Sequence, residues 1–220
     1  MLTALVVGFV TLTAFTADFE RHVIEGDFHE TTSGTVYYQN SSKVTVEVND
    51  PIEQMMIVDG KVMDIYYPQE GKVFRIKSKM GSPPPLVQGI ITAIKGGDGL
   101  TEMGYTLAGN KKKEDILYTY WEPPKKMKKF LGIIILGMKK GRVVYTEART
   151  PEGEVVSKSF YQDYIKFGNI WLPSDIYSES YRDSNITKEH IVYKNFTPHI
   201  PKRVLNFSLP TSIHVKEIKW

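Results

Sequence analysis

The chain has 220 residues, of which 41% are hydrophobic and 24% are charged, a composition typical of a folded protein and not of a disordered one. Its 28 basic and 25 acidic residues give a net charge of only +3. This mild excess, without a recognised motif, does not indicate nucleic acid as a partner. Cysteine is absent, which excludes disulfide bonds, thiolate metal sites and thiol nucleophiles.

The first segment of the chain, residues 1–15, is apolar and carries no charged side chain. It is too short to cross a bilayer comfortably. We predict a buried N-terminal helix over residues 1–17. The alternative is the hydrophobic region of a signal peptide that ends near Ala17, although no Lys or Arg precedes the apolar run. Both interpretations stay open from the sequence.

Strand patterns dominate the next part of the chain. Val44, Val46 and Val48 alternate with polar residues, which is typical of a strand with one buried face. Asp59-Gly60 is a strong signal for a two-residue hairpin turn. Turn residues recur about every 8–12 positions, which indicates an antiparallel sandwich or barrel. The predicted strands cover residues 34–39, 43–48, 54–58, 61–67 and 72–78.

A short helix is predicted after the prolines at residues 83–85. The apolar residues that follow have near-helical spacing, and Gly96-Gly97 would end the helix. Gly89 and the neighbouring β-branched residues weaken it as an isolated helix, so it needs a surface to lie on.

Strand patterns then resume to the end of the chain, with no change in composition that would mark a linker. We therefore predict a mainly β fold with a few helices (α+β), in a single domain over residues 1–220. The predicted strands of this part cover residues 102–107, 115–121, 130–138, 142–149, 154–163, 170–179, 190–195 and 206–209.

The sequence contains no motif typical of catalysis or metal binding. The five histidines are scattered without metal-ligand spacing. The segment "KGGDG" lacks the spacing and the ending of a phosphate-binding loop, and no G-x-S-x-G turn is found. Lysine-rich segments such as "PPKKMKKF" fit solvated turns, with attraction to an anionic membrane surface or an acidic partner as the alternative.

Several segments together resemble a known family. "LTAFTADFER", "SGTVYYQ" and "PIEQMMIVDGKVMDIYYPQEGKVFRI" are followed by the Pro-led helix in "PPPLVQGIITAI" and by the ending "LNFSLPTSIHV". In this order they resemble the LolA superfamily of periplasmic lipoprotein carriers and their lipid-binding relatives. The sharpest matches are Phe19, the hairpin "VDGK-x-x-x-x-YYP" and the ending around Phe207 and Pro210.

The resemblance implies a curved antiparallel sheet that forms an incomplete, open β-barrel plugged by helices. A hydrophobic cavity between them would accept the acyl chains of lipoproteins or other lipids, for transfer to the outer membrane. Such a carrier is not an enzyme and needs no cofactor. Its expected location is the periplasm, its expected partners are an inner-membrane donor and an outer-membrane acceptor, and it is expected to be a monomer.

Candidate cavity residues follow from the resemblance and from strand alternation. The helix that would act as a lid carries Leu86, Val87, Ile90, Ile91 and Ile94. The strands contribute Val44, Val46, Val48, Met56, Val58, Met63, Ile65, Phe74 and Ile76, while Asp64 and Arg75 would point to the other face. A register slip of one residue at Met55-Met56 would invert these assignments, so the face that lines the cavity stays open.

One departure from the family affects the lid. Where the family has a Lys/Arg-Pro pair, with an arginine thought to hold the lid closed, this chain has Asn40-Ser41. The closing mechanism therefore does not carry over. Two other functions stay possible from the sequence: a lipid- or lipoprotein-sensing interaction module on the same scaffold, and an enzyme with a polar pocket.

Overall fold

The computed structural model describes residues 14–40, 43–77, 85–182, 185–211 and 213–219. Strands make up most of this part of the chain, which is the predicted mainly β fold with few helices. The strands are β1 Phe15–Glu25, β2 Phe28–Asn40, β3 Lys43–Asp50, β4 Gln54–Asp59, β5 Val62–Tyr67, β6 Lys72–Lys77, β7 Thr106–Lys113, β8 Ile116–Glu122, β9 Ile134–Lys139, β10 Arg142–Arg149, β11 Val155–Phe167, β12 Ile170–Arg182, β13 Asn185–Thr197 and β14 His214–Lys219. The helices are α1 Pro85–Lys95, α2 Gly97–Glu102 and α3 Lys202–Leu205, with a 3-10 turn over Lys125–Met127.

In the described residues all strands belong to one 14-stranded sheet, in the order β14-β6-β5-β4-β3-β2-β1-β13-β12-β11-β10-β9-β8-β7. Every neighbouring pair is antiparallel except β14 and β6, which are parallel. Strands that are consecutive in the sequence are neighbours in the sheet almost throughout. Two pairings are long-range: β1 pairs with β13, which joins the N-terminal and C-terminal halves of the sheet, and β14 pairs with β6 at one edge.

The register of β3 to β6 decides which residues share a face. Val44 lies opposite Val58, Val58 opposite Met63, and Met63 opposite Ile76. Directly opposed residues of an antiparallel pair point to the same side of the sheet. A second row runs the same way on that side, and it consists of Val46, Met56, Ile65 and Phe74. The predicted strand residues therefore do share one face, and the ambiguity at Met55-Met56 is resolved in favour of Met56.

Helix α1 lies against this face, which we call the covered face. Its apolar side contributes Leu86, Val87, Ile90 and Ile91 to the main hydrophobic core. Burying four such side chains contributes about 6–12 kcal/mol. The helix that was predicted to need a surface therefore obtains its stability from the sheet.

The sheet curls around α1. Met63 of β5 and Trp121 of β8 pack against the same core cluster, although ten inter-strand intervals separate β5 from β8 in the sheet order. A flat sheet would place those two strands about 48 Å apart, whereas an 11-residue helix is about 16 Å long. The result is an open, incomplete barrel with α1 inside, as predicted.

The prediction for the N-terminal segment is wrong where the structure describes it. Phe15, Thr16 and Ala17 belong to β1 and not to a helix. Phe15 and Ala17 are buried in strand alternation because they lie opposite Tyr38 and Val36 of β2. Residues 1–13 lie outside the described residues, so the choice between helix and leader stays a prediction there.

Of two other predicted strands, the one over residues 102–107 is misplaced and the one over residues 206–209 is wrong. Over residues 102–107 the chain first completes α2 and then turns at Gly104, whose φ is 83°, so that β7 begins only at Thr106. Helix α2 is rich in glycine, and its buried Leu100 holds it on the core in spite of its low helix propensity. Residues 206–209 form no strand because they follow α3. Strand β14 was not predicted, since its apolar residues do not alternate and its pairing partner is distant β6.

A smaller contact ties α3 to the opposite face of the sheet. Tyr37, Ile200 and Val204 form a separate buried cluster. Arg203 donates from Nη2 to Glu47 Oε2 at 2.8 Å and to the Tyr37 hydroxyl at 3.0 Å. The Tyr37 hydroxyl in turn donates to Glu47 at 2.7 Å.

This contact shifts the pKa values of Tyr37 and Glu47. Burial and the neighbouring Glu47 raise the pKa of Tyr37 to about 12. Burial alone would raise the pKa of Glu47, but the hydrogen bonds from Arg203 and Tyr37 outweigh it and lower that pKa.

We predict that Glu47→Gln lowers the free energy of unfolding at pH 7, and that the difference from the wild type disappears in acid. A carboxylate whose folded-state pKa is lowered contributes stability above its ordinary value of 4.5 and loses it as the pH falls through the folded-state value. Urea unfolding between pH 7 and pH 3 measures this. A difference of constant size at all pH values would contradict the assignment.

Candidate functional site

A cavity of about 360 Å³ lies between the helices α1 and α2 and the covered face of strands β9 to β13. Gly89 of α1 forms part of its wall. A Cβ atom at Gly89 would lie 2.8 Å from Ile176 Cδ1, so the absence of a side chain lets the helix approach the sheet closely. Gln88 and Met103, both exposed, lie at the rim. The cavity is therefore open to solvent beside α1.

One part of the cavity wall is apolar. Its side chains come from α2 and from strands β9, β12 and β13: Leu100, Ile134, Leu136, Ile176 and Ile191. All except Ile134 also belong to the buried residues of the protein. This part of the wall continues the hydrophobic core that α1 covers.

The other part of the wall is lined by hydroxyl groups. Ser157 lies opposite Ser180, and Ser159 lies opposite Ser178, on the neighbouring strands β11 and β12. The Ser178 hydroxyl donates to Ser159 Oγ at 2.8 Å. Thr146 of β10 lies opposite Ser159 and extends the group by one strand. We call the four serines the serine grid.

A charged cluster borders the serine grid. Glu189 of β13 lines the cavity and lies opposite Ser178. Arg21 Nε donates to Glu189, and Arg21 Nη1 donates to Glu30 at 3.1 Å. Two carboxylates thus share one guanidinium group, so the formal charge of the cluster is −1. Arg21 holds Glu189 in a fixed orientation beside the cavity.

Two buried tyrosines of the sheet lie close to α1. Tyr193 of β13 donates its hydroxyl to the carbonyl oxygen of Leu86, in the first turn of α1. The Tyr161 hydroxyl is 3.2 Å from the hydroxyl of Thr146. Burial raises the pKa of both Tyr161 and Tyr193, so both hydroxyls stay protonated near neutral pH. Both are neutral hydrogen-bonding groups, and the bond from Tyr193 positions the first turn of the helix.

The predicted lipid-contacting residues do not line this cavity. Most are buried in the core: Val44, Val46, Val48, Val58, Leu86, Val87, Ile90 and Ile91. Met56, Met63 and Ile94 pack against that core. Ile65, Phe74 and Ile76 are half-buried on β5 and β6. Contact with lipid stays a prediction for all of them.

The residues that do line the cavity were missed in the sequence. A signal for them exists: "SKS" at residues 157–159 and "SES" at residues 178–180 each place two serines on one face of a strand. Only the pairing of β11 with β12 brings the two motifs together.

Among the described residues, no group of three or more His, Asp or Glu side chains is placed to hold a metal ion. Of the helices in the described ranges, none combines the length and the apolar character needed to cross a membrane.

Comparison with known families decides the classification. The family model for the outer membrane lipoprotein carrier protein LolA matches residues 10–154, more than half of the chain. The chain belongs to the LolA family. Carriers of the LolA family are generally non-enzymatic, and the family is periplasmic in bacteria. No curated protein matches the chain significantly.

Solved structures show the same LolA fold. A LolA superfamily protein from Nitrosomonas europaea has a TM-score of 0.64 at 15% identity, over 89% of this chain and 90% of that chain. A domain named for outer membrane lipoprotein sorting from Vibrio parahaemolyticus has a TM-score of 0.63 at 11% identity, over 88% and 89%. A DUF1329 family protein from Desulfovibrio piger reaches 0.60 at 17% identity, over 85% and 86%. At these identities the likeness concerns the fold alone.

The match to the LolA family model ends before the serine grid. Residues 10–154 include β1 to β10 and both α1 and α2, whereas the serines lie on β11 and β12 and Glu189 lies on β13. The serine grid and Glu189 thus fall in the part of the chain that the family model does not match, whereas Thr146 falls within the match.

We predict that Tyr193→Phe loosens α1 while leaving the sheet intact. The variant loses the hydrogen bond to Leu86, worth about 1 kcal/mol, so amide hydrogen exchange in α1 should become faster. Tyr177→Phe is the matched control, because its hydroxyl bonds Glu179 at 3.1 Å on the other face of the sheet. Equal exchange in α1 for both variants would show that the Tyr193 bond does not hold the helix.

Proposed function

We propose that this LolA-family protein is a non-enzymatic periplasmic carrier of acyl chains. In this proposal an acyl chain of a lipid or lipoprotein binds between α1 and the covered face, and the carrier passes it from an inner-membrane donor to an outer-membrane acceptor. The observation that supports it is the cavity of about 360 Å³, which is continuous with the apolar core beneath α1. A volume of this size lies at the lower end of ligand-binding pockets, on the order of 300–1,000 Å³.

A longer chain would require α1 to move. The cavity beside the helix is small, while the predicted contact residues lie beneath it in the core. Each methylene group removed from water contributes about 0.8 kcal/mol, so a 16-carbon chain gains about 13 kcal/mol. Exposing the apolar side of α1 costs about 6–12 kcal/mol. The two quantities are of similar size, so an acyl chain can replace α1 on the covered face.

This balance also suits transfer between membranes. A membrane interior is as apolar as the core of a protein, so a carrier that bound its cargo much more tightly than lipid does would not release it. If the free-energy cost of displacing α1 offsets most of the energy gained by binding the acyl chain, the carrier releases the chain to a membrane readily. Met56 and Met63 at the margin of the core are flexible enough to repack around different chains.

Filling the cavity tests the proposal. We predict that Ser159→Phe reduces the uptake of a fluorescent fatty acid at least fivefold and removes co-purified lipid from native mass spectra. The matched control is Gln162→Phe, on the same strand but exposed on the other face. If the wild-type protein, purified without detergent, carries no acyl species and takes up no probe, the carrier function is contradicted.

Locking α1 tests whether the helix moves. The chain has no cysteine, and Ile176 is the side chain nearest to a Cβ placed at Gly89. A Gly89→Cys/Ile176→Cys variant therefore places two thiols next to each other, where oxidation is expected to form a single disulfide bond between α1 and β12. We predict that uptake of a long-chain probe is lost in the oxidised variant and returns on reduction, so that the reduced sample is its own control. Equal uptake in both redox states would show that the chain binds without movement of α1.

A further inference from the structure

The cavity is more polar than a plain acyl chain requires. A hydrocarbon laid against the serine grid would cover hydroxyl groups without offering them hydrogen bonds, which is unfavourable. Ser178 and Ser159 bond each other. The hydroxyls of Ser157 and Ser180 have no side-chain or backbone partner in the part of the chain that the structure describes. They remain available to a ligand.

We propose that the cavity selects a single-chain amphiphile with an uncharged, hydroxyl-bearing head group. The head group lies on the serine grid beside Glu189, and the chain runs along Ile176 and Ile191 toward α1. This inference rests on the proposed function, since it names the class of lipid that the same cavity binds.

The spacing of the serine grid fits a polyol. Neighbouring antiparallel strands place opposed residues about 5 Å apart, and alternate residues of one strand are about 7 Å apart. The four hydroxyls therefore form a patch of about 5 by 7 Å, the scale of a glycerol or sugar unit. Because a hydroxyl both donates and accepts, serine and polyol hydroxyls can satisfy one another in several arrangements.

The charge beside the grid disfavours anionic head groups. Glu189 accepts a hydrogen bond from a hydroxyl group, but it repels a carboxylate or a phosphate. Arg21 does not neutralise this effect fully, because it is shared between Glu189 and Glu30. A head group that is uncharged and rich in donors avoids the repulsion and satisfies the acceptor.

The direction of the ligand follows from the order of residues on β12. Ile176, Ser178 and Ser180 follow one another on the covered face, and Ser180 lies close to the end of the strand at Arg182. Ile176 lies beneath Gly89 of α1. The polar group therefore lies toward the strand end, and the chain points under the helix.

Competition against N-phenyl-1-naphthylamine, an uncharged apolar probe without a head group, tests the inference on the wild-type protein. We expect 1-lauroylglycerol to displace the probe at about one tenth of the concentration that laurate requires at pH 7.5, since two net hydrogen bonds are worth about this factor. Equal or tighter binding of laurate overturns the inference. Absence of probe binding altogether contradicts the proposed function itself, so the two failures are distinguishable.

Variants test which residues cause the preference for 1-lauroylglycerol over laurate. Ser157→Ala/Ser180→Ala should weaken 1-lauroylglycerol about tenfold and leave laurate unchanged. Glu189→Gln should instead strengthen laurate severalfold, because it removes the repelling charge. Ser174→Ala on β12, whose hydroxyl bonds the Asp163 carbonyl at 2.6 Å, is the control and should change neither ligand. If the double variant weakens both ligands alike, the serines act on folding and not on the head group. If it fails to fold, the comparison of the two ligands on the wild-type protein still decides.

Discussion

The structure depends on the burial of one short helix inside a curled sheet. A 14-stranded sheet in the described residues has a long apolar face that must be removed from water, and α1 supplies Leu86, Val87, Ile90 and Ile91 to cover it. The helix is weak in isolation, and its apolar side is buried in the same core as the covered face of the sheet. Because each stabilises the other, any ligand that occupies the covered face competes directly with α1.

The position of the cavity follows from side-chain size along the covered face. Val44, Val46 and Val48 of β3 are buried in the same hydrophobic core as the apolar side of α1, on the N-terminal side of the sheet. On the C-terminal side Gly89 of α1 packs against the large Ile176 and Tyr161, whereas Ala148 and the serine grid, which also line the cavity, are small. A helix of fixed width cannot pack closely against large and small side chains of the covered face at the same time. The space that remains lies where the side chains are small.

The difference between the two sides of the sheet combines features found in the LolA family with features of this chain's own sequence. The LolA family model matches the part that contains α1 and the valine-rich strands, and this part provides the apolar core and the helix. The strands that follow residue 154 add the serine grid and Glu189 to the same cavity, and Glu189 pairs with Arg21 of the matched part. A carrier scaffold thereby gains a polar wall, which a purely apolar cavity lacks.

The sequence by itself determined the mainly β fold, the helix at α1 and the alternation within β3, because strand alternation and helix punctuation are local signals. Which residues share a face across β3 to β6 was decided only by the register of the strands in the structure. The sequence did not determine β1, since the apolar run before Phe15 outweighed the alternation of Phe15, Ala17 and Phe19. It also could not place the cavity. Ser157 and Ser180 are 23 positions apart, and only the pairing of β11 with β12, under a helix from another part of the chain, brings them to one site. That arrangement depends on tertiary packing, where burial of the whole covered face selects the register and the position of α1.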